Sequence, residues 1–343
     1  MPLSPPSLVY VSDDMPGYTR RRWGRGFSIR DVENRVVRDK QILNRIKALV
    51  IPPAWQDVWI SPLENGHLQC TGRDPKQRKQ YIYHHEYLAF RQAAKFSKIF
   101  DFAGQLPGIR QRLETDLQRP DWDRRKVLAL AVSVLDNVHL RIGNQQYADR
   151  NQTYGLTTLR RRHLDFEGGE LTFSYKGKSN QFREVSVEDR DLIDLIRECS
   201  ELPGYEVFRY KTGYRSYETV DSRDVNDYIH DLAGDRFSAK DFRTWAGTQY
   251  AVEHYSEARE RAAEDTRRNL TTEVVRAVAN ELGNTVSVCR EYYIHPAVLR
   301  AVEEESVPAL SSVGKQDLER FGQQFDPAEV IAYDLIAAAR REG

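Results

Sequence analysis

The sequence has few cysteines and no recognisable metal-binding motif. Its three cysteines, Cys70, Cys199 and Cys289, are far apart and form neither a CxxC pair nor a zinc-finger spacing. Its eight histidines include no HExxH pattern, the spacing that places two histidines on one helical face around zinc. We therefore expect no bound metal, and thiols that stay reduced, as is usual in a cytosolic protein.

Long apolar stretches are also missing. A helix that spans a membrane needs about 20 mostly apolar residues, and the chain has no such run. The first residues, Met-Pro-Leu-Ser-Pro-Pro, lack the basic-then-apolar layout of a secretory signal. These absences predict a cytoplasmic protein with no membrane partner.

A complete nucleotide-binding loop is absent as well. Gly177, Lys178 and Ser179 look like the end of a phosphate-binding loop, which also needs a glycine five residues before Gly177. That position is Thr172, inside a strand-like alternation of apolar and polar residues. The sequence therefore predicts no ATP hydrolysis and no cofactor.

The chain as a whole lacks an excess of charge of either sign. It has 51 Lys and Arg against 51 Asp and Glu, which argues against simple electrostatic adhesion to nucleic acid. Residues 1–90 nevertheless carry 14 basic and 9 acidic side chains, which leaves 37 and 42 for the remainder. Because the local field steers DNA rather than the net charge, charge alone leaves the partner open.

The first 86 residues have the pattern of a small β-rich domain. Short strand-like runs occur at 7–12 and 55–60, and one helical stretch lies at about 39–49. We expect an antiparallel β-sheet lobe with helices at 1–86.

From residue 87 to residue 343 the spacing of apolar residues is mainly helical. Residues 126–140 have the periodicity of a buried amphipathic helix. The alternation at 171–175 and 183–187 predicts a β-hairpin whose turn contains Lys178. The sequence thus predicts an α+β fold, in which a larger, mainly α-helical lobe with a small hairpin sheet follows the N-terminal lobe.

Capping patterns mark two of the later helices. Ser238 and Asp241 have the spacing of a capping box at the start of one helix. Thr271 or Thr272 is expected to begin the next helix, and Gly283 is expected to end it.

A few side chains could together break a phosphodiester bond without a metal. The reaction needs a nucleophile, cations on the non-bridging oxygens, and a proton donor for the leaving 5′ oxygen. Arginine suits the phosphate because its planar fork donates two parallel hydrogen bonds. The chain offers Arg141 at the end of a buried helix, Lys178 at a hairpin tip, Arg243 in a capped helix, and Tyr292 or Tyr293. Taken singly, each of these residues could also have no catalytic role: Arg243 could be a surface charge, and Tyr293 could pack in the core.

Ordered sequence segments carry a resemblance to a known family. In the C-terminal part they are His139-Leu-Arg-Ile-Gly-Asn144, Gly177-Lys178, Lys240-Asp-Phe-Arg243-Thr and the stretch from Leu282 to Pro296. In the N-terminal part they are residues 51–55, 66–69 and 78–84. In this order and spacing, from about residue 17 to residue 298, the chain resembles the type IB DNA topoisomerases, particularly the compact poxvirus-like enzymes of bacteria. The resemblance implies a catalytic lobe of the tyrosine recombinase and topoisomerase IB type.

The resemblance implies a catalytic role for five residues. Tyr293 would attack a DNA phosphate and form a 3′-phosphotyrosyl link, leaving a free 5′ hydroxyl. Arg141 and Arg243 would hold the non-bridging oxygens, and Lys178 would be the general acid for the 5′ oxygen. Asn284 stands where many relatives have histidine, which leaves a hydrogen-bond donor but removes a charge that could titrate.

The family register also favours Tyr293 over its neighbour Tyr292 as the nucleophile. Tyr293 lies nine residues after Asn284 and three before Pro296, as in the family.

The resemblance further implies a set of DNA contacts. Gln77 stands where relatives commonly have glycine, just before the segment that supplies most of them. The expected DNA-binding residues are Gln80, Tyr81 and Tyr83 in the major groove, Arg78 and Lys79 on phosphates, Tyr147 near the scissile phosphate, and Lys240.

The implied activity is the relaxation of positive and negative supercoils by transient cutting of one strand, strand rotation and religation. Such an isomerase would use no metal, ATP or other cofactor, and would act on double-stranded DNA as a monomer that closes as a clamp. It would be found in the bacterial cytoplasm, associated with the nucleoid.

Two alternatives stay open on the sequence alone. A tyrosine site-specific recombinase shares the fold and the chemistry, but usually has histidine where this chain has Lys240, and a helical N-terminal domain. A DNA-binding module without chemistry would predict salt-sensitive binding and no covalent adduct.

Overall fold

The computed structural model of the chain describes residues 7–265 and 267–342. The chain divides into two compact units, residues 1–95 and residues 96–343. The division falls within a long helix, His85–Leu117, near whose start the sequence analysis placed its own boundary after residue 86.

The N-terminal unit is built on one five-stranded sheet. In chain order its elements are β1 (Tyr18–Trp23), β2 (Gly26–Arg30), α1 (Lys40–Ala48), β3 (Gln56–Ile60), β4 (Leu68–Arg73) and β5 (Lys79–Tyr83). The strands lie in the order β2-β1-β3-β4-β5, and every neighbouring pair is antiparallel. Ile46 of α1 packs with Ile29, Val58 and Ile60 of the sheet, which gives this unit an apolar core of its own. The predicted sheet lobe is confirmed.

One expected strand, at residues 7–12, does not form. Val9 makes a single isolated bridge with Gly66, and its backbone bonds go to Asn65 and His67. Those partners lie in the connection between β3 and β4, which offers no extended edge for a longer ladder. Val11 packs with Trp59 of β3 and Leu68 of β4, so the apolar alternation at 7–12 reflects burial against the sheet without strand pairing.

The C-terminal unit is mainly helical. Its elements in chain order, with α2 crossing the division, are α2 (His85–Leu117), α3 (Arg124–Val138), α4 (Gln145–Asn151), β6 (Leu164–Glu167), β7 (Glu170–Lys176), β8 (Phe182–Val187), α5 (Arg190–Ser200), β9 (Arg209–Gly213), β10 (Ser216–Thr219), α6 (Ser222–Ala233), α7 (Ala239–Glu253), α8 (Tyr255–Glu264), α9 (Leu270–Leu282), α10 (Val286–Tyr292), α11 (Pro296–Glu303), α12 (Lys315–Glu319) and α13 (Pro327–Glu342). Strands β6, β7 and β8 form one antiparallel sheet, and β9 and β10 form another.

The predicted hairpin and buried helix are both present. β7 pairs with β8 so that Leu171 faces Val187 and Tyr175 faces Arg183, in the register that the alternation indicated. Helix α3 is buried along nearly its whole length and packs against α5, α6 and α7. It ends two residues earlier than predicted, because His139 adopts a left-handed conformation with a φ of 52°.

The helix caps agree with the sequence at two of three places. Ser238 caps α7 with Asp241 as its capping-box partner, and Gly283 ends α9 with a φ of +56°. The start of α9 was predicted wrongly. Asn269 caps it, accepting a hydrogen bond from the Thr272 amide at 3.0 Å, because the short asparagine amide reaches that orphan donor well.

Candidate active site

Arg141 lies on an extended segment just beyond the end of α3. Its carbonyl accepts a hydrogen bond from the Leu156 amide at 2.8 Å, which ties this segment to the chain near Gly155. A side chain at Gly155 would lie 2.5 Å from the Arg141 carbonyl oxygen, so only glycine allows this close crossing. The Arg141 guanidinium donates to the Gly283 carbonyl at 3.0 Å and to Oδ1 of Asn284.

Arg243 is buried inside α7. It is 5% exposed, and its guanidinium donates to the carbonyls of His139 and of Leu282, the latter at 2.7 Å. Burial, reinforced by repulsion from Arg141, lowers its pKa to about 10. A surface location for Arg243, one of the two explanations that the sequence allowed, is therefore wrong.

Tyr293 ends α10 and packs against α7. Its amide donates to the Cys289 carbonyl at 3.0 Å, and its carbonyl accepts from the Thr248 hydroxyl at 3.3 Å. A Cβ on Gly247 would lie 2.7 Å from the Tyr293 carbonyl oxygen and 2.9 Å from its Cβ. Helix α7 thus carries Arg243 and also sets the position of Tyr293, whose ring centroid lies 5.7 Å from the Arg243 guanidinium carbon.

Tyr292 has different surroundings. It is 40% exposed, and a hydrogen bond with Glu291 raises the pKa of its phenol. An adjacent carboxylate opposes formation of a phenolate, whereas the Tyr293 phenol lies beside a guanidinium.

Three arginines meet at the C-terminal end of α9. Arg183 of β8 donates to the carbonyls of Asn280, at 3.3 Å, and Glu281, at 2.8 Å. Arg243 and Arg141 take the next two carbonyls along the chain, at residues 282 and 283. The last carbonyls of a helix lack internal partners and carry the negative end of its dipole, so they are suited to bind cations. This common partner holds like-charged guanidiniums close together in the absence of an anion.

The structure therefore brings four of the five predicted catalytic residues to one place. Arg141 and Asn284 are hydrogen-bonded to each other, and Arg243 and Tyr293 lie side by side. Lys178 differs, because it lies at the exposed tip between β7 and β8. Its side chain makes no hydrogen bond or ion pair with the residues at 7–265 and 267–342.

The predicted DNA-binding residues are exposed or half-buried, and several are already paired. Arg78 and Gln80 both bind Asp74, at 2.6 Å and 3.1 Å, and Lys79 lies 2.7 Å from Asp13. The rings of Tyr81 and Tyr83 stack with centroids 5.9 Å apart. Tyr147 on α4 is 62% exposed, and Lys240 on α7 is exposed.

The turn before β5 has Gln77 in a conformation that favours glycine. Its φ is 62°, in the left-handed region where a side chain is disfavoured. This conformation agrees with the expectation, drawn from the resemblance, that a glycine would suit the position.

Sequence reasoning missed two contributors to the site. Arg183 was predicted only as a strand residue, and Gly247 was not singled out. Alternation in β8 indicated that Arg183 shares a face with Tyr175, but nothing local indicated that this face meets α9. Where the structure describes the chain, no group of three or more His, Cys, Asp or Glu is placed to hold a metal ion, and no helix is both long and apolar enough to cross a membrane.

Comparison with known proteins places these segments among DNA-cutting enzymes. Residues 84–316 match the family model of the eukaryotic DNA topoisomerase I catalytic core, and residues 26–74 match that of the bacterial DNA topoisomerase IB N-terminal domain. The DNA topoisomerase 1B of Acanthamoeba polyphaga mimivirus is 29% identical over 287 residues, covering 82% of this chain and 85% of that protein. The DNA topoisomerase 1B of Vaccinia virus (strain Copenhagen) is 21% identical over 318 residues, covering 91% and 89%.

Among solved structures, the XerH site-specific recombinase bound to its difH substrate is similar at 15% identity. The similarity covers 73% of this chain and 58% of that chain with a TM-score of 0.33, which is too low to bear on function.

Proposed function

This chain belongs to the type IB DNA topoisomerase family, and from that premise we propose that Tyr293, Arg141 and Arg243 carry out its cutting and resealing of DNA. The observation that supports this assignment most directly is the position of Tyr293 beside a buried guanidinium. The guanidinium carbon of Arg243 lies 5.7 Å from the centroid of the phenol ring, and α7 both carries Arg243 and packs against Tyr293.

In the proposed reaction, the Tyr293 oxygen attacks a DNA phosphorus atom and loses its proton. A P–O bond forms, the bond to the 5′ oxygen breaks, and the 5′ oxygen gains a proton. A phenol with a pKa near 10 is a poor nucleophile at pH 7, so stabilisation of phenolate character by the two guanidiniums is needed. The phosphotyrosyl ester keeps the energy of the broken bond, and the reverse reaction reseals the strand without ATP.

Arg141, Arg243 and Asn284 have the donors to bind the phosphate. The Nε of Arg243 and the Nδ2 of Asn284 are buried without a hydrogen-bond partner among the described residues. Leaving a buried donor unpaired costs about 1–3 kcal/mol, so a ligand with acceptor oxygens would be stabilised there. Non-bridging phosphate oxygens are such acceptors, and their negative charge would balance the positive charges of the two adjacent guanidiniums.

Lys178 is the proposed general acid for the leaving 5′ oxygen. Its exposed ammonium is held by no ion pair within the described chain, so it can turn toward DNA without breaking one. The same side chain would accept the proton back when the 5′ hydroxyl attacks the phosphotyrosine.

The enzyme is further proposed to act on duplex DNA as a monomer whose two units close as a clamp, in a nucleoid-associated cytoplasmic setting. One tyrosine cuts one strand, so a single chain suffices for a complete cycle. After cutting, rotation of the downstream duplex about the intact strand would remove supercoils of either sign. The residues at 78–83 would contact the groove and the phosphates, and Tyr147 and Lys240 would contact DNA near the cut.

Plasmid relaxation tests the proposal. The wild-type protein is expected to relax supercoiled plasmid of either sign in EDTA without ATP, and to form a covalent adduct with a nicked suicide substrate. Tyr293→Phe should form no adduct yet bind DNA normally, whereas the matched control Tyr292→Phe should cut normally. An adduct in Tyr293→Phe would move the nucleophile elsewhere. A requirement for two specific DNA sites would indicate a recombinase, and binding without any adduct would indicate a module with no chemistry.

A further inference from the structure

The position of the Lys178 side chain depends on the β7–β8 hairpin that carries it. The turn is shaped by the left-handed residues Ser179 and Asn180, with φ values of 63° and 62°, and by a hydrogen bond from the Gly177 amide to the Gln181 carbonyl at 2.7 Å. Since the Lys178 side chain makes no hydrogen bond or ion pair with the residues at 7–265 and 267–342, the placement of the hairpin directs its ammonium.

Arg183 ties this hairpin to the segment that carries the nucleophile. It lies across from the buried Tyr175 in the strand register, and its guanidinium donates to the carbonyls of Asn280 and Glu281 at the end of α9. The Arg183 guanidinium also occupies the space where a Cβ on Gly283 would lie, so a side chain there would displace it. The contact between β8 and α9 in this form therefore depends on the arginine and on the small size of residue 283.

The same end of α9 also orients the two other arginines. Gly283 accepts from Arg141, and Leu282 accepts from Arg243. The next residue, Asn284, binds Arg141 as well. A hairpin fixed to this end of α9 is thus fixed relative to the groups proposed to bind the phosphate.

We propose that Arg183 is a positioning residue for the strand-cutting reaction: it fixes the hairpin on α9 so that the Lys178 ammonium reaches the leaving 5′ oxygen. This inference rests on the proposed roles of Tyr293 and Lys178. We assign Arg183 no contact with the phosphate: its guanidinium donates to two carbonyls at the end of α9, where the helix dipole favours a cation.

A purely structural role for Arg183 makes a different prediction. Loss of a helix-capping cation would loosen α9 and slow every reaction of the site, whichever leaving group the DNA carries. A role that acts through Lys178 would slow only reactions in which the leaving oxygen needs a proton. A substrate with sulfur in place of the bridging 5′ oxygen separates the two, because a thiolate leaves without protonation.

The test measures single-turnover adduct formation by the full chain on the oxygen and the sulfur substrates. Lys178→Ala is expected to slow cutting of the oxygen substrate by about 100-fold or more, as for loss of a general acid, and to cut the sulfur substrate at near the wild-type rate. Arg183→Met, which keeps an unbranched stem without donors, should slow the oxygen substrate by at least about 10-fold and also be rescued by sulfur. Arg183→Lys should fall between the wild type and Arg183→Met. Arg190→Ala, at an exposed position just after the same hairpin, is the matched control and should cut both substrates normally.

The double variant Arg183→Met/Lys178→Ala provides a second readout. If Arg183 acts only through Lys178, the double variant cuts the oxygen substrate no more slowly than Lys178→Ala alone, because the two effects share one cause. Multiplied defects, or an Arg183→Met protein equally slow on both substrates, would overturn the inference and leave the proposed function intact. Failure of sulfur to rescue Lys178→Ala would instead overturn Lys178 as the acid, and the inference with it.

Discussion

Replacement of Gly247 by alanine should disable cutting while leaving DNA binding in place. Gly247 is buried in α7 one turn after Arg243, and an added Cβ would lie 2.7 Å from the Tyr293 carbonyl oxygen and 2.9 Å from its Cβ. Carbon atoms pack at about 3.5–4.0 Å, so the two backbones must move apart by roughly half an ångström or more. Overpacking of this kind costs about 1–3 kcal/mol of the free energy of unfolding.

The same displacement should also slow the cutting reaction. It moves the phenol relative to the guanidinium that lies 5.7 Å from it, and a misplacement of about 1 Å costs on the order of 100-fold in rate. We expect adduct formation by Gly247→Ala to be about 10- to 100-fold slower than wild type, with DNA affinity unchanged. Thermal unfolding should show a lower midpoint.

Gly108→Ala is a matched control for this experiment. Gly108 also lies inside a helix, α2, but a Cβ there would meet nothing within 4 Å. Alanine should therefore stabilise the protein by about 0.5–1 kcal/mol through its higher helix propensity, and cutting should not change. A Gly247→Ala protein with the wild-type midpoint and the wild-type cutting rate would refute the argument that α7 sets the position of Tyr293.

Three further predictions concern stability and DNA affinity. Glu329→Gln should lower the free energy of unfolding in urea by about 1–3 kcal/mol, because the buried carboxylate accepts two hydrogen bonds from Arg110; an unchanged midpoint would contradict this. The Glu281 carboxylate, 3.5 Å from Nε2 of His254, raises the pKa of that imidazole above 6.5, so the stability from this pair is fully present below about pH 6.5 and is lost as the pH rises through the folded-state pKa. His254→Gln should therefore lower the urea midpoint more at pH 6 than at pH 8.5, and equal losses at both would count against the pair. Lys79→Ala should reduce the slope of log affinity against log salt by about one, whereas parallel slopes would show that Lys79 does not contact a phosphate.

The parts of the fold that were predicted correctly depend on local chemistry. The register of Tyr175 and Arg183 follows from alternation on both sides of one turn, and the end of α9 follows from a glycine that can adopt a positive φ. The predictions that were wrong concern residues whose partners are distant or whose alternatives are close in energy. Residues 7–12 alternate like a strand but form only an isolated bridge, and Asn269, two residues before Thr271, caps α9 in place of the predicted threonines.

The candidate site was harder to predict than the fold, because the contacts that define it join residues far apart in the sequence. Spacing alone did not distinguish a surface Arg243 from a buried one, and only the resemblance to a family gave it a role. The structure adds the physical reason that a charge is tolerated there, which is the pair of carbonyls supplied by residues 139 and 282. Neither carbonyl is near Arg243 in sequence, so no local pattern could indicate them. The contributions of Gly247 and Arg183 were missed for the same reason.

The shared use of the α9 end bears on how the proposed site would respond to a bound phosphate. Without an anion, the guanidiniums of Arg141 and Arg243 repel each other, and each is partly stabilised by donating to a carbonyl at the end of α9. Burial removes water from both guanidiniums and thereby lowers their pKa. Hydrogen bonds to a phosphate would replace the lost hydration. A phosphate placed among them would draw its stabilisation from charge already held in position, and little reorganisation would be needed as the transition state forms. Because the same phosphate is the proposed target of Tyr293, we expect the cations to be fully engaged only when there is a bond to cut.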